Sequence, residues 1–514
     1  MQEFSILIKN ARVVDGSGKP AYSGGVYFSG GVVRAVGKVR GLSGVEPDMV
    51  IDAQGALVCP GFIDTHSHSD ISLLAVPGAE GRLAQGICTE ITGNCGLSAF
   101  PVTDLNREHL SGLYATYGVD ISWHSYAEYR EVLAARSPGV NVFSLCGYNT
   151  LRAAAAGYGT RCLSRTHIDT MKHYLYESLM AGASGVSTGL LYVPGKFATD
   201  AELADVLSVA GACNSIYSTH LRSEGAHLVR AVAEALRVSR WAGINKLHIS
   251  HLKTAGKSNW HKLPLVLSMI DEARRSGLNV TADRYPYIES MSSLTVVLPP
   301  PYDDMDDLTL MNLLSAPDKR LELERVLEEY PDERWSTVRL VSTALPEYAD
   351  FQGSIMEWIA QALDMSPAQV VADIVSRDPV NAMAAYRGMC PDNLRCVLEQ
   401  EYTMCGSDES ARPTDYSLGR SHPRGFGTFP EFFNLLKGTL PLEKIIHKMT
   451  GLPASVFGLT NRGLLSPGYA ADIVIMEPDE FKAGADFAHP HRLASGVRQV
   501  YVNGLLRYSK GEGA

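Results

Sequence analysis

The chain has 514 residues, 45% hydrophobic and 20% charged, the composition of an ordinary globular protein long enough for a large catalytic domain plus an accessory one. Its formal net charge is -10, and no run of Lys/Arg interrupts that balance, which argues against nucleic acid or a membrane surface as partner. No stretch approaches the roughly 20 apolar residues of a membrane span. The opening MQEFSILIKNARVVDG lacks a signal-peptide pattern, and nine cysteines without a CxxC pair suit reduced thiols in a cytoplasmic protein.

The first elements are strands. FSILIKNARVV is β-rich, and GGVYFSGGVVRAVG predicts a hairpin closing at Ser29-Gly30-Gly31. The C-terminus repeats the pattern, with the strand ADIVIM and the hairpin VRQVYVNGLLRYS around an Asn503-Gly504 turn. Residues 1–58 and 462–514 are therefore expected to form one small β-sandwich domain from both termini. Within 59–461, apolar strands alternate with amphipathic runs such as AHLVRAVAEALRVSRWAG, where Val229, Val232 and Leu236 share a face. The strands ALVCPGFID, GICTEITG, NVFSLCG, GASGVST, SIYSTH, KLHISH, NVTAD and YTMCGSD predict an α/β fold, a (β/α)8 TIM-like barrel. A doubly wound sheet fits less well, because no Gly-rich dinucleotide loop opens the first strand–helix unit. A segment at about 290–400, carrying DDMDD and KRLELERVLEEY, reads as a helical insertion over the barrel mouth before the eighth strand.

In such a barrel the residues following the strands share one mouth, where chemistry occurs. Those positions hold His66 and His68, Cys95, His220, His251 and Asp408. His66 and His68 form an H-x-H pair whose imidazoles, two residues apart, can meet one metal ion. A lone histidine would more often be structural, but the pair is not alone. Cys95 in GNCG, an unremarkable core thiol by itself, becomes a thiolate ligand opposite four histidines, a mixed donor set that zinc accepts. His248 competes with His251 and is assigned to packing or support, since His251 stands at the strand terminus. Asp408 in CGSDES is placed to move protons beside a metal-bound water, although an N-cap would also suit it, and Glu409 is its nearest rival. Lys253, Tyr285 and Arg424 would singly be surface or packing residues. Together near one mouth they suggest a carboxylate clamp.

At GFIDTHSHSD, GNCG, STHLRSEG, ISHLK, ADRYPY, GSDES, HPRGFGTFP and MTGLPASVFGL the chain resembles the N-acyl-D-amino-acid deacylase (D-aminoacylase) family of the amidohydrolase superfamily, from about residue 4 to 505. The resemblance implies a tight zinc site at Cys95, His220 and His251. It implies a second, weaker metal position at His66 and His68, also within reach of Cys95 and Asp408. It implies Asp408 as acid/base, and Lys253, Tyr285 and Arg424 around the α-carboxylate of a small-molecule substrate. CGYNT after strand three and SDES after the aspartate depart from the pattern expected of relatives, which bears on side-chain and acyl specificity. Two other functions compete. Cyclic-amide hydrolases of the dihydroorotase or hydantoinase kind use a strand-four lysine, which GASGVSTGLL lacks. A non-catalytic scaffold on this fold would be expected to lose ligands that are present here.

Overall fold

The computed structural model describes residues 4–38 and 46–511. Five strands open the chain: β1 (Ser5–Val13), β2 (Tyr22–Ser29), β3 (Val32–Gly37), β4 (Met49–Asp52) and β5 (Leu57–Pro60). The β2–β3 hairpin sets Ser29 opposite Val32, with Gly30 and Gly31 at positive φ. β1 changes partner along its length, pairing first with β4 through Ile6–Lys9 and then with β5 through Arg12 and Val13. A bulge between Ile8 and Ala11 marks the change and bends the strand.

The barrel follows with β6 (Phe62–Asp64), β7 (Ile87–Thr92), β8 (Asn141–Gly147), β9 (Gly185–Gly189), β10 (Ile216–His220), β11 (Lys246–Ile249) and β12 (Asn279–Arg284), each parallel to the next. ALVCPGFID is thus two strands, β5 in the first sheet and β6 in the barrel. The break falls at Gly61, where a Cβ would lie 2.3 Å from Cys88 Sγ, so the crossing between layers has room only for glycine.

After β12 the chain leaves the barrel. β13 (Glu289–Ser293), β14 (Val338–Ser342) and β15 (Met383–Arg387) form an antiparallel sheet in the order β13-β15-β14. Helices Asp307–Leu314, Pro317–Glu328, Met356–Leu363 and Pro367–Arg377 pack on it around a core that includes Leu310, Leu323, Leu340 and Ile374. The insertion is therefore mixed rather than helical. ESMSS in β13 has no apolar alternation, and its strand state comes from pairing with β15. The insertion touches two barrel loops: Asp303 lies 3.5 Å from Lys196 in the loop after β9, and Gly388 O accepts the Gly256 amide at 2.9 Å.

β16 (Thr403–Cys405) returns beside β12 and completes the eight strands. It meets β6 just beyond the strand ends, through a Ser67–Glu409 bridge and an Asp408 N–His66 O hydrogen bond of 2.7 Å. Ile63, Ile91, Leu145, Ile216 and Met404 pack together inside the barrel with Phe457 and Leu459. β17 (Ile473–Met476), β18 (Val497–Val502) and β19 (Leu505–Ser509) then rejoin the first sheet in the order β19-β18-β17-β5-β1-β2-β3. Asn503 and Gly504 take φ 51° and 77°, as a two-residue turn with both central positions left-handed requires. Phe28 on β2 and Tyr501 on β18 stand four strands apart, about 19 Å in a flat sheet at roughly 4.8 Å per strand. Their rings meet at 5.3 Å, so the sheet folds over on itself into a sandwich. No described helix is long and apolar enough to cross a membrane.

Lys448, on the helix Leu442–Met449, is 3% exposed and donates to the Gln400 carbonyl. Burial lowers its ammonium to about 7. The unfolded chain then binds the extra proton between about pH 7 and 10.5, so this lysine destabilises the fold most below pH 7 and ceases to do so above about 10.5. Gln400 O keeps the Thr403 amide as a partner if the lysine is removed. Lys448→Met should therefore raise the unfolding midpoint at pH 7.5. The advantage should shrink toward pH 10, by at most about 1.4 kcal/mol per pH unit. A gap that does not change with pH would rule out the lowered lysine.

Candidate active site

Every predicted ligand stands at the C-terminal end of a barrel strand. His66 and His68 follow β6, Cys95 follows β7, His220 ends β10, His251 follows β11 and Asp408 follows β16. The donor atoms of His66, His68, Cys95 and Asp408 lie within 4.8 Å of one another, and so do those of Cys95, His220 and His251. Cys95 is the donor common to both groups.

The backbone is bent to achieve this. Cys95, His251 and Asp408 take φ of 54°, 37° and 53°. Left-handed backbone costs a non-glycine residue on the order of 1–3 kcal/mol, and it persists only where the surroundings enforce it. Around Cys95 the enforcement is visible in the flanking glycines. A Cβ on Gly93 would lie 2.0 Å from Leu145 O, and one on Gly96 would lie 2.2 Å from Asn149 Oδ1. The GNCG loop thus lies directly on the end of β8.

His66 Nε2 is 3.2 Å from Cys95 Sγ and 3.3 Å from Asp408 Oδ1, while His68 Nε2 is 3.1 Å from the same Asp408 oxygen. His251 Nε2 lies 3.5 Å from Cys95 Sγ. Burial alone would raise the Cys95 thiol, but the charge on His66 and the neighbouring imidazoles of His220 and His251 pull it well below its usual range. His68 is partly buried, yet Asp408 and Cys95 hold it up at about 10. Asp408 is kept well below the usual carboxylate range against its burial, chiefly by Arg424, whose Nη1 is 2.8 Å from Oδ2. Both ring nitrogens of His220 are buried with no hydrogen-bond partner, an arrangement costing about 1–3 kcal/mol that a ligand relieves.

Lys253, Tyr285 and Arg424, the residues expected to form a clamp, also converge. The Tyr285 ring has the Arg424 guanidinium at 4.7 Å and the Lys253 ammonium at 5.8 Å, and its hydroxyl is buried without a partner. Arg284 stacks closer still, at 3.9 Å. Burial would raise the Tyr285 phenol, but Lys253, Arg284 and Arg424 bring it below its ordinary value. A buried hydroxyl ringed by cations is a place for an anion. Glu409, the rival of Asp408, belongs to neither donor group, and its Oε1 accepts the Ser410 amide at 3.0 Å.

Two carboxylates escaped the sequence reading. Asp283 accepts from His66 Nδ1 at 3.0 Å, His248 Nε2 at 2.7 Å and the His251 amide at 2.8 Å. Glu224 Oε1 lies 2.8 Å from His251 Nδ1 and also pairs with Lys253. His248 therefore stands behind Asp283 and outside both donor groups. Asp283 had a usable signal, two residues before Tyr285 at a strand end in ADRYPY. Glu224 and Arg284 lie within STHLRSEG and ADRYPY, but neither residue type at that position points to a role by itself.

The model of the amidohydrolase family matches residues 49–333 and 435–508. A D-aminoacylase of Alcaligenes xylosoxydans xylosoxydans is 32% identical over 98% of this chain and 94% of its own length. An N-acyl-D-glutamate deacylase of the same organism is also 32% identical, over 98% and 94%. Among solved structures, an N-acyl-D-glutamate deacylase of Bordetella bronchiseptica, complexed with zinc and a phosphonate mimic of the tetrahedral intermediate, superposes with a TM-score of 0.82. It is 28% identical and covers 99% of this chain and 97% of that one. An L-hydantoinase of Arthrobacter aurescens, at 18% identity over 99% and 97% and a TM-score of 0.58, shares the fold alone. The chain belongs to the amidohydrolase family, and within it to the N-acyl-D-amino-acid deacylases.

Cys95→Ala removes the donor that both groups share, and among the described residues neither group holds another cysteine. Elemental analysis should find both metal positions depleted relative to the unaltered protein, with the fold retained by circular dichroism. Full zinc content would take Cys95 out of the site.

Proposed function

We propose that the protein is a zinc-dependent deacylase that splits N-acyl-D-amino acids into a carboxylic acid and a free D-amino acid. The carrying observation is the pair of donor groups joined at Cys95, with Asp408 on one side and the cation-ringed Tyr285 beside it. The donor chemistry fits zinc: a lowered thiol, imidazoles and one carboxylate, with both nitrogens of His220 awaiting a partner. Cys95, His220 and His251 would hold the tight ion, and His66 and His68, with Cys95 and Asp408, a weaker one. When bound, zinc polarises an acyl carbonyl and lowers the pKa of water from 15.7 to about 7.

The chain's own residues do the rest. Asp408, ionised at neutral pH because Arg424 sits on its Oδ2, takes the proton of the attacking water. The C–N bond then breaks, and the same carboxyl returns that proton to the departing amine. Lys253, Tyr285 and Arg424 hold the α-carboxylate of the substrate. With that carboxylate and the scissile carbonyl both fixed, inverting Cα turns the side chain into the wall, so one hand is accepted. Orientation of this kind contributes several kcal/mol of barrier reduction.

A cyclic-amide hydrolase would need room for a lysine at the end of β9. A Cβ on Gly189 would lie 2.0 Å from Cys95 O, so the thiolate loop fills that place. A small-molecule substrate with a free α-carboxylate follows from the clamp. A cytoplasmic setting is supported by nine cysteines that are all unpaired.

Metal analysis of the purified protein, beside a panel of N-acetyl-D- and N-acetyl-L-amino acids, tests the reading. Equal turnover of both hands would overturn the D-specific deacylase and leave a zinc amidohydrolase. Asp408→Asn keeps the shape and cannot shuttle a proton, so kcat should fall by about 10²–10⁴. Near-normal turnover in that variant would pass the role to another group. Arg424→Met should lower kcat/KM roughly ten- to a hundredfold on the free acid. Masking the substrate carboxylate as a methyl ester should penalise the wild type comparably and this variant little, a non-additivity that double-mutant logic makes diagnostic. Additive penalties would separate Arg424 from the carboxylate.

A further inference from the structure

The carboxylate of Asp283, which is fully buried, holds one residue from each donor group. Its Oδ2 accepts from His66 Nδ1, so the opposite nitrogen of that ring faces Cys95 and Asp408. Its Oδ1 accepts the backbone amide of His251, at the point where that residue takes φ 37°. The bend turns the His251 ring toward Cys95, and Glu224 fixes only the far side of that ring. His248 locks the arrangement from behind. Its Nδ1 lies 2.9 Å from Thr281 Oγ1, which leaves Nε2 to meet Asp283 Oδ2 at 2.7 Å. The neighbouring strand end makes room, since a Cβ on Gly406 would lie 3.0 Å from Asp283 Oδ1 and 2.8 Å from His66 Cβ.

We propose that Asp283 is a positioning residue that ties the two metal positions together, orienting His66 in one and the strained backbone of His251 in the other. This rests on the zinc reading above and assigns a role to a residue that touches no proposed metal. Partners behind metal-bound histidines typically alter metal affinity ten- to a hundredfold, because they fix which ring nitrogen carries the proton. Asp283 differs from such a partner in serving two positions through two different kinds of donor, an imidazole and a main-chain amide.

The two kinds of donor make the proposal separable by substitution. Asp283→Ala removes both acceptors. Asp283→Asn can keep its carbonyl on the His251 amide, but its NH2 then faces His66. That forces the His66 proton onto Nε2, the nitrogen a metal would need. The experiment titrates chelator-stripped full-length protein with zinc alone, against a chromophoric competitor, and reads the first and second binding events. Melting of the metal-free forms serves as a check on folding. The wild type should show two events. Asp283→Ala should weaken both ten- to a hundredfold, and Asp283→Asn should weaken only the second. Wild-type affinities in Asp283→Ala, loss of one event alone in that variant, or a single event in the wild type would each overturn the coupling. If Asp283→Ala fails to fold, an unchanged second event in Asp283→Asn overturns it instead. A wild type that binds no zinc at all is a different result, and it refutes the zinc reading itself.

Discussion

One sulfur atom must sit where two sets of nitrogen and oxygen donors meet, and much of the barrel mouth is arranged around that requirement. The thiol can reach the position only if the chain turns sharply after β7, which puts Cys95 at φ 54°. The turn is possible because glycines on either side let the loop lie against the end of β8. The same loop occupies the space beyond Gly189, so the last position of β9 can carry no side chain. A side chain at position 189 and the backbone of the loop that carries Cys95 compete for one volume, and here the loop has it.

Charge follows from this placement. Cys95, Asp408, Asp283 and Glu224 all have their acidity enhanced despite burial, each for want of any favourable state other than the charged one beside its neighbours. Without metal, the balancing charge comes from protonated His66, His68 and His251 together with Arg424 and Lys253. A divalent ion held by these residues would replace protons on the histidines and leave the arginine and lysine in place. Metal binding to such a site releases protons and draws on binding energy that holds the bent strand ends together. The left-handed backbone at His251 and Asp408 is supported by the buried hydrogen bonds around it, and an ion held by these residues would add to that support.

The insertion supplies the outer wall of this arrangement. Its core is separate from that of the barrel, and its contacts with the loops after β9 and β11 are polar, through Asp303 and Gly388. A separate core allows this unit to vary without disturbing the strands that carry the donors. Tyr192, in the loop after β9, packs its ring 4.9 Å from that of His220, so the wall begins directly beside the proposed ligands.

The alternating strands, the H-x-H pair, the glycine-flanked cysteine and the Asn-Gly hairpin were legible in the chain, because each depends on local geometry: a period of two, a tight turn, a left-handed pair of residues. These features were enough to name all six proposed ligands. The sequence could not show that ALVCPGFID divides between two sheets, since a continuous apolar run looks the same whether it is buried in one layer or crosses between two. Nor could it show that ESMSS is a strand, because a distant partner imposes that state. It did not separate Asp283 from a bland strand-end aspartate. That role exists only where β6, β11 and β12 bring His66, His248 and the His251 amide to one carboxylate, and hydrogen bonds between residues 32 to 217 positions apart are decided by the fold alone.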